Sequence, residues 1–391
     1  MSQYRTLNRT LLLKVEGTPG TDASPTVGSD AILCENPVVT ADLQSVETNE
    51  VTGSLDDRGS IRSGALGQAT FTVIAKHSGT AGTAPEMGPA LRACGMQETV
   101  TASAITGTAS AGTTSTLTIE GADISADDQL NGMPIRITGG TNAGYQGFIV
   151  DSVDSGGVVT VCPTAAAAFD NTSAYSIDIN VRYAPESSGQ DWASIYGYEH
   201  RTDAGNSRLN KLLGAQGTWG LSLPVRDVPR FNFTFTGKAV APSDVSHPGA
   251  ATYDTNTAFP FLDAGCYLSG ITSAMKINSL QLDYGATVQA ADDPSAALGY
   301  DLAGITRRRV GGTIVPPKSL LSAFNAFTSW QSQTEYSFAA WWGPSAGHRM
   351  AIVIPALRFA NRADQDVNGF AYDSLPFRSV TPNQGVFVTF W

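Results

Sequence analysis

The chain has 391 residues, of which 42% are hydrophobic and 15% charged, and a formal charge of −11. That length exceeds what one hydrophobic core usually serves, so two domains are the starting expectation. The negative balance excludes the basic footprint of a protein that grips nucleic acid, and Gly 40 with Pro 20 is too little for a low-complexity polymer.

The first thirty residues are polar and turn-rich around a short apolar run at 11–15, which predicts an arm or edge strand. The opening MSQYRTLNRTLLLKVEG holds only three leucines in a row. That is too short for a signal peptide's apolar region or a membrane span, so the chain is expected to stay in the cytoplasm until it is used. Residues 31–43 read as a strand leading into a polar loop at 45–64. Such a length is unusual inside a compact domain and points to function or disorder. The loop carries Glu47, Glu50, Asp56 and Asp57 beside Arg58 and Arg62. ATFTVI at 69–74 alternates as a strand does. Residues 85–94 predict a short helix, with Pro85 and Pro89 early, Met87, Leu91 and Cys94 on one face, and Gly95 just past the end.

Composition changes from 101 to 182. Residues 101–180 hold one base, Arg136, against Glu120, Asp123, Asp127, Asp128, Asp151, Asp154, Asp170 and Asp178. Short strands are predicted at 115–119, 133–138, 147–153, 158–161 and 174–180. Turn residues fall at Gly139-Gly140, at 155–157 and at Asp170-Asn171. Short strands at close spacing predict a small β-sandwich or barrel, read as an inserted Ig-like β-domain on the outer surface; the alternative is a divergent part of the main sheet. Asp123, Asp127 and Asp128 lack the ladder of ligands of a calcium loop, so a solvated acidic face is the simpler reading.

Residues 214–242, GAQGTWGLSLPVRDVPRFNFTFTGKAVAP, form the clearest pattern. Trp219, Leu221, Leu223 and Val225 occupy alternate positions, as do Phe231, Phe233 and Phe235. A period of two puts one face on a core and the other in water. Pro229 marks the turn of an antiparallel hairpin. Further on, 270–285 (MKINSLQLDYG) predicts a strand, followed by Arg307, Arg308 and Arg309. Leu320, Leu321, Phe324 and Phe327 predict a helix over 317–331 packed on the sheet. Residues 335–342 and 350–354 bracket a second hairpin, and VFVTFW closes the chain as a strand that must be tied into a sheet.

Catalytic signatures are missing: there is no GxSxG elbow, P-loop, GxGxxG or HExxH. Asp56-Asp57 and Asp292-Asp293 are adjacent and point apart in an extended chain. The four cysteines, Cys34, Cys94, Cys162 and Cys266, are too dispersed for a zinc site. The reading is therefore non-enzymatic, with no cofactor and no metal.

Three stretches carry a resemblance: residues 9–22 (RTLLLKVEGTPGTD), 77–95 (HSGTAGTAPEMGPALRACG) and 212–244 (LLGAQGTWGLSLPVRDVPRFNFTFTGKAVAPSD). In this order they resemble the signatures of bacteriophage tail tube proteins, the major tail proteins of long-tailed phages. The resemblance covers roughly 1–100 and 183–391. GADISADDQLNGMPIRITGGTNAGYQGFIV resembles a module inserted in several phage tail proteins.

The resemblance implies an all-β fold, a twisted sandwich or barrel with one or two short helices. The tube domain would comprise 1–100 and 183–391, with 101–182 as an inserted domain on the outer surface. It implies a structural subunit that joins edge to edge into a ring, hexameric in that family, with rings stacking into a conduit for DNA delivery. The partners would be further copies of the chain, the tape measure inside, terminator and tip proteins at the ends, and passing double-stranded DNA held without specific binding. No membrane is implied; the subunit would assemble in the host cytoplasm into the virion tail. Glu47, Glu50, Asp56, Asp57, Arg58 and Arg62 become candidates for contact with the next ring. Asp227, Arg230, Arg307, Arg308 and Arg309 become candidates for contact within a ring, the arginine triplet pairing with an acidic neighbour. The alternative is a cell-surface or carbohydrate-binding β-protein with the insert as its binding head.

Overall fold

The computed structural model describes residues 3–56, 58–202, 205–269 and 275–391. The protein is all-β, with two short α-helices among the described residues. Its centre is the hairpin of strands Asn206–Pro224 and Arg230–Ser246. They run antiparallel with Trp219 opposite Phe233 and Leu221 opposite Phe231. The alternation in the sequence becomes the two faces of this hairpin. Trp219, Leu221, Leu223, Phe231, Phe233 and Phe235 are all buried, while Asn232 and Thr234 face out. Arg226 takes φ 65° at the turn. Both strands run beyond the predicted stretch, because residues 206–209 still pair with 243–246.

The main sheet grows from both sides of this hairpin. Arg230–Ser246 pairs with Ile61–Ile74, which pairs in turn with Glu35–Val46. Asn206–Pro224 is long enough to take two neighbours on its other edge. Ala193–Arg201 lies along its first half and Ser279–Asp283 along its second. Outside the former lie Tyr4–Val15 and then Ala31–Ile32. Beyond the latter come Gly311–Val315, Phe370–Ser379 and Met350–Phe359. Residues 270–274 of the predicted 270–285 strand lie outside the described residues.

The sheet curls over, so that its two limbs share one core. Phe71, Trp219 and Phe233 from one limb sit in the same cluster as Phe338, Ile352 and Phe390 from the other. The closing strand Phe387–Phe390 is flanked on one side by Met350–Phe359 and on the other by Asn180–Pro185. That removes the edge an aromatic terminal strand would otherwise expose. Helix α1, Gly88–Ala93, plugs this core with Met87, Leu91 and Cys94, and Gly95 follows at φ 75° as its C′ residue.

His77 is buried against the edge of Phe390, 5.7 Å between ring centres, with His348 nearby. Burial, and secondarily the charge of His348, pushes its pKa down to about 4. Above pH 6.5 folded and unfolded chains both hold it neutral. Between 6.5 and about 4 the unfolded chain takes up a proton that the folded chain refuses, so stability falls as pH falls. Over that window wild type is expected to lose about 2–3 kcal/mol more than His77→Gln. Urea titrations at pH 7 and pH 4.5 measure it; equal losses in the two proteins would show that His77 carries no such penalty.

One predicted helix is wrong in extent. The apolar stripe at 317–331 does not lie on the sheet. Only Ala326–Gln331 is helical (α2), and Leu320, Leu321 and Phe327 are exposed. Pro317 is held in a β-bridge to Tyr372, and Lys318 N–H donates to the Ala371 carbonyl, which keeps the chain extended there. Asn325 then caps the later start, its side chain accepting from Thr328 N–H. Phe324 alone packs inward, against Tyr336 and Phe359.

Strands between Ile105 and Ile177 form a sheet of their own, seven-stranded among the described residues. Its core gathers Leu117, Ile135, Ile137, Ile149, Val159, Val161, Tyr175 and Ile177. The predicted strand at 174–180 is in fact two elements. Ala174–Ile177 closes this sheet, and Asn180–Pro185 re-enters the main one. The strand Gln146–Val153 is buried on both faces as far as Val150. Ile149 points into the small sheet's core, while Phe148 and Val150 pack on Ala339, Ala351, Val353, Phe387 and Trp391 of the main sheet. Buried Arg182 adds a polar tie, its Nη1 donating to the carbonyls of Gln129 at 2.9 Å and Asn131 at 2.6 Å. The inserted sheet is thus seated on the main one through an apolar contact and a guanidinium.

Candidate assembly site

The strands Glu35–Val46 and Ile61–Ile74 make a hairpin whose outer part leaves the body of the protein. From residue 40 to the loop nearly every side chain is exposed, on both faces. The connecting loop, 47–60, is shorter than predicted because Val46 pairs with Ile61 and Ser45 with Arg62. Val51 and Leu55 at its tip are 101% and 106% exposed, and Leu43, Val46 and Ile61 also face water. A two-stranded ribbon with apolar side chains and no covering layer is not stable by itself. Here its root is braced instead.

The brace is the hairpin Ala286–Asp292 and Tyr300–Arg308. Tyr300 Oη donates to Gln44 Oε1 at 2.6 Å, and Ala65 N–H donates to the Leu298 carbonyl at 3.2 Å. Gly64 is required here, since a Cβ would come within 2.9 Å of the Leu298 oxygen. Lys238 pairs with Asp301 at 2.8 Å. The root is therefore fixed while the tip is bare.

The charged candidates of the loop separate into different roles. Glu50 and Arg58 pair at 2.6 Å across the loop, but both are more than half exposed, so the pair contributes little stability. Arg62 Nη2 donates to the Ala297 carbonyl at 3.3 Å, as part of the brace. Asp56 Oδ2 accepts weakly from Ser54 Oγ at 3.4 Å, and Glu47 is exposed. Asp57 lies outside the described residues. Sequence reasoning missed Val51 and Leu55. Their only signal was isolation, two apolar residues in an otherwise polar loop.

The second set of candidates is also split. Arg230 pairs with Asp227 and with Glu35, each at 3.2 Å, locking the central turn within the chain. The triplet is not a uniform patch for an acidic neighbour. Arg308 is used internally: its Nη1 donates to Gly95 O and Tyr284 Oη at 3.1 Å, and its Nη2 to Ser187 Oγ at 2.7 Å and Asn383 Oδ1 at 3.0 Å. The cross-strand period of two turns Arg307 and Arg309 outwards, and both are exposed.

The N-terminal arm is a strand, Tyr4–Val15, docked from Arg9 onward on Ala193–Arg201. Leu11, Leu12 and Leu13 are buried, but Leu7 is 99% exposed and the pairing shifts between Tyr4 and Arg9. Thr10 Oγ1 and His200 Nε2 share a hydrogen bond at 2.8 Å, and His200 Nδ1 meets Ser207 Oγ at 2.8 Å. Burial, then the neighbouring His247, lowers the His200 pKa. That histidine pins the arm between the hydroxyls of Thr10 and Ser207.

Among the described residues no group of three or more His, Cys, Asp or Glu is placed to hold a metal ion, and no helix is long and apolar enough to cross a membrane. No protein-family model matches this chain, and no curated protein matches it either.

Proposed function

We propose that this chain is a structural subunit of a phage-type tail tube, joining other copies into rings, hexameric in the family it resembles, that stack into a conduit for DNA. The observation that carries the reading is the braced hairpin with its bare apolar tip. A rigid root and an uncovered tip are what a subunit needs to reach into the copy above. Covering Val51 and Leu55 would contribute about 1.5–3 kcal/mol each. Leu7 on the arm offers a second uncovered point, on another part of the surface. Two different heterologous contacts, one closing and one not, generate a ring that repeats into a filament. Tape-measure, terminator and tip proteins would be the further partners, and double-stranded DNA would pass without specific binding. The net charge of −11 suits such passage, although much of it belongs to residues 101–180.

Electron microscopy of the purified full chain at high concentration tests the proposal. Rings or tubes with an open bore are the expected result. A protein that stays monomeric at every concentration, with and without a tail-tip initiator, would overturn it.

A further inference from the structure

The arginine triplet lies beside a cleft of about 500 Å³. Its walls bring together Arg307, Arg308 and Arg309 with Arg378 from a neighbouring strand, and Ser187 and Asn383 from two loops. Arg308 is the fixed member, its guanidinium held by the four acceptors already described. Ser187 Oγ in turn donates to Asn383, so the two loops are joined across it. Glu186 is the nearby acid, but its carboxylate is satisfied by Ser188 and Ser187 N–H groups, which hold its pKa below the usual range together with the more distant charge of Arg308. Arg307, Arg309 and Arg378 make no ion pair with the described residues and are exposed. Elsewhere Arg58, Arg92, Arg136, Arg230, Arg358 and Arg362 each hold a carboxylate, while exposed Arg5, Arg62, Arg208 and Arg226 stand apart from one another with no ion pair among the described residues. What sets Arg307, Arg309 and Arg378 apart is that all three line one concavity, in a chain of net charge −11.

We propose that this cleft binds a small ligand bearing two or more phosphate groups. Guanidinium forks match phosphate oxygens bidentately, and three of them on one ligand favour a multivalent anion over a single carboxylate. The volume is that of a small-molecule site. A long polyanion such as duplex DNA would meet the repulsion of the remaining acidic surface. The inference does not depend on the tail-tube reading.

Calorimetry of the full chain with sodium triphosphate, at low and at physiological salt, tests it. Saturable binding is expected, weakening with salt. Inorganic phosphate should bind more weakly, and the variant Arg307→Gln/Arg309→Gln/Arg378→Gln should weaken triphosphate by at least about tenfold. Arg308 is left intact because it holds the loops. Should the triple variant fail to fold, Arg307→Gln and Arg378→Gln singly are expected to weaken binding in the same direction. No binding by wild type, unchanged binding by folded variants, or tighter binding of a duplex oligonucleotide than of triphosphate would overturn the proposal. So would a triple variant that loses only self-association, since the counter-charge would then be a second copy.

Discussion

The variant Val51→Ser/Leu55→Ser is expected to fold as wild type does and to fail to polymerise. Both side chains are fully exposed in the single chain, so replacing them removes no internal contact. Surface changes of that kind usually alter stability by less than about 0.5 kcal/mol. If both residues become buried against another copy, their loss costs the contact about 3–6 kcal/mol. An equilibrium changes tenfold for every 1.4 kcal/mol, so the concentration needed for tubes rises by about two to four orders of magnitude. Sedimentation at several concentrations, with urea unfolding alongside, separates the two effects. Tubes forming at the wild-type concentration would remove the loop tip from the interface. By contrast, Glu50→Gln/Arg58→Gln is expected to change little, because the exposed ion pair is already solvated.

The largest loss of stability is expected from Phe233→Ala, about 3–5 kcal/mol. Its ring stacks on Phe71 at 5.3 Å, Phe231 at 6.0 Å and Phe235 at 6.1 Å. These rings belong to rigid paired strands, and the facing limb of the sheet presses on the same cluster. A cavity left there cannot close by a side-chain adjustment alone, so most of the lost dispersion stays lost. Asn232→Ala, one residue away and facing water, supplies the comparison. Its side chain accepts a hydrogen bond from half-buried Thr72 and is expected to matter by no more than about 1 kcal/mol. Urea midpoints of the two variants measure the contrast. A Phe233→Ala midpoint as close to wild type as that of Asn232→Ala would mean that the aromatic row is not the centre of the core.

Failures of the sequence reading have a shared cause. The 317–331 stripe has helical spacing, and Leu320, Leu321 and Phe327 were expected on the sheet. Spacing states which side chains share a face, but not whether anything arrives to cover that face. Pro317 and Lys318 are captured by the strand Phe370–Ser379, and the helix starts too late to use the stripe. Arg308 meets the same limit. In the sequence it is one of three equal cations, whereas in the fold the alternation of its strand turns it inward to Gly95, Tyr284, Ser187 and Asn383.

What the sequence determined by itself is the local geometry. Period-two runs fixed the central hairpin and its inner face, Gly95 marked the end of α1, and the closing aromatic run had to be a strand. Those outcomes depend on residues a few positions apart, where backbone sterics and side-chain direction act alone. Tertiary structure decided the rest: the curl that merges two limbs into one core, the seating of Phe148 and Val150 on the main sheet, and the bracing of the loop hairpin by residues 286–308. It also decided which arginines keep a free guanidinium. Each is a pairing between residues far apart in sequence, set by strand register and by which apolar face finds another, and no local pattern encodes the partner.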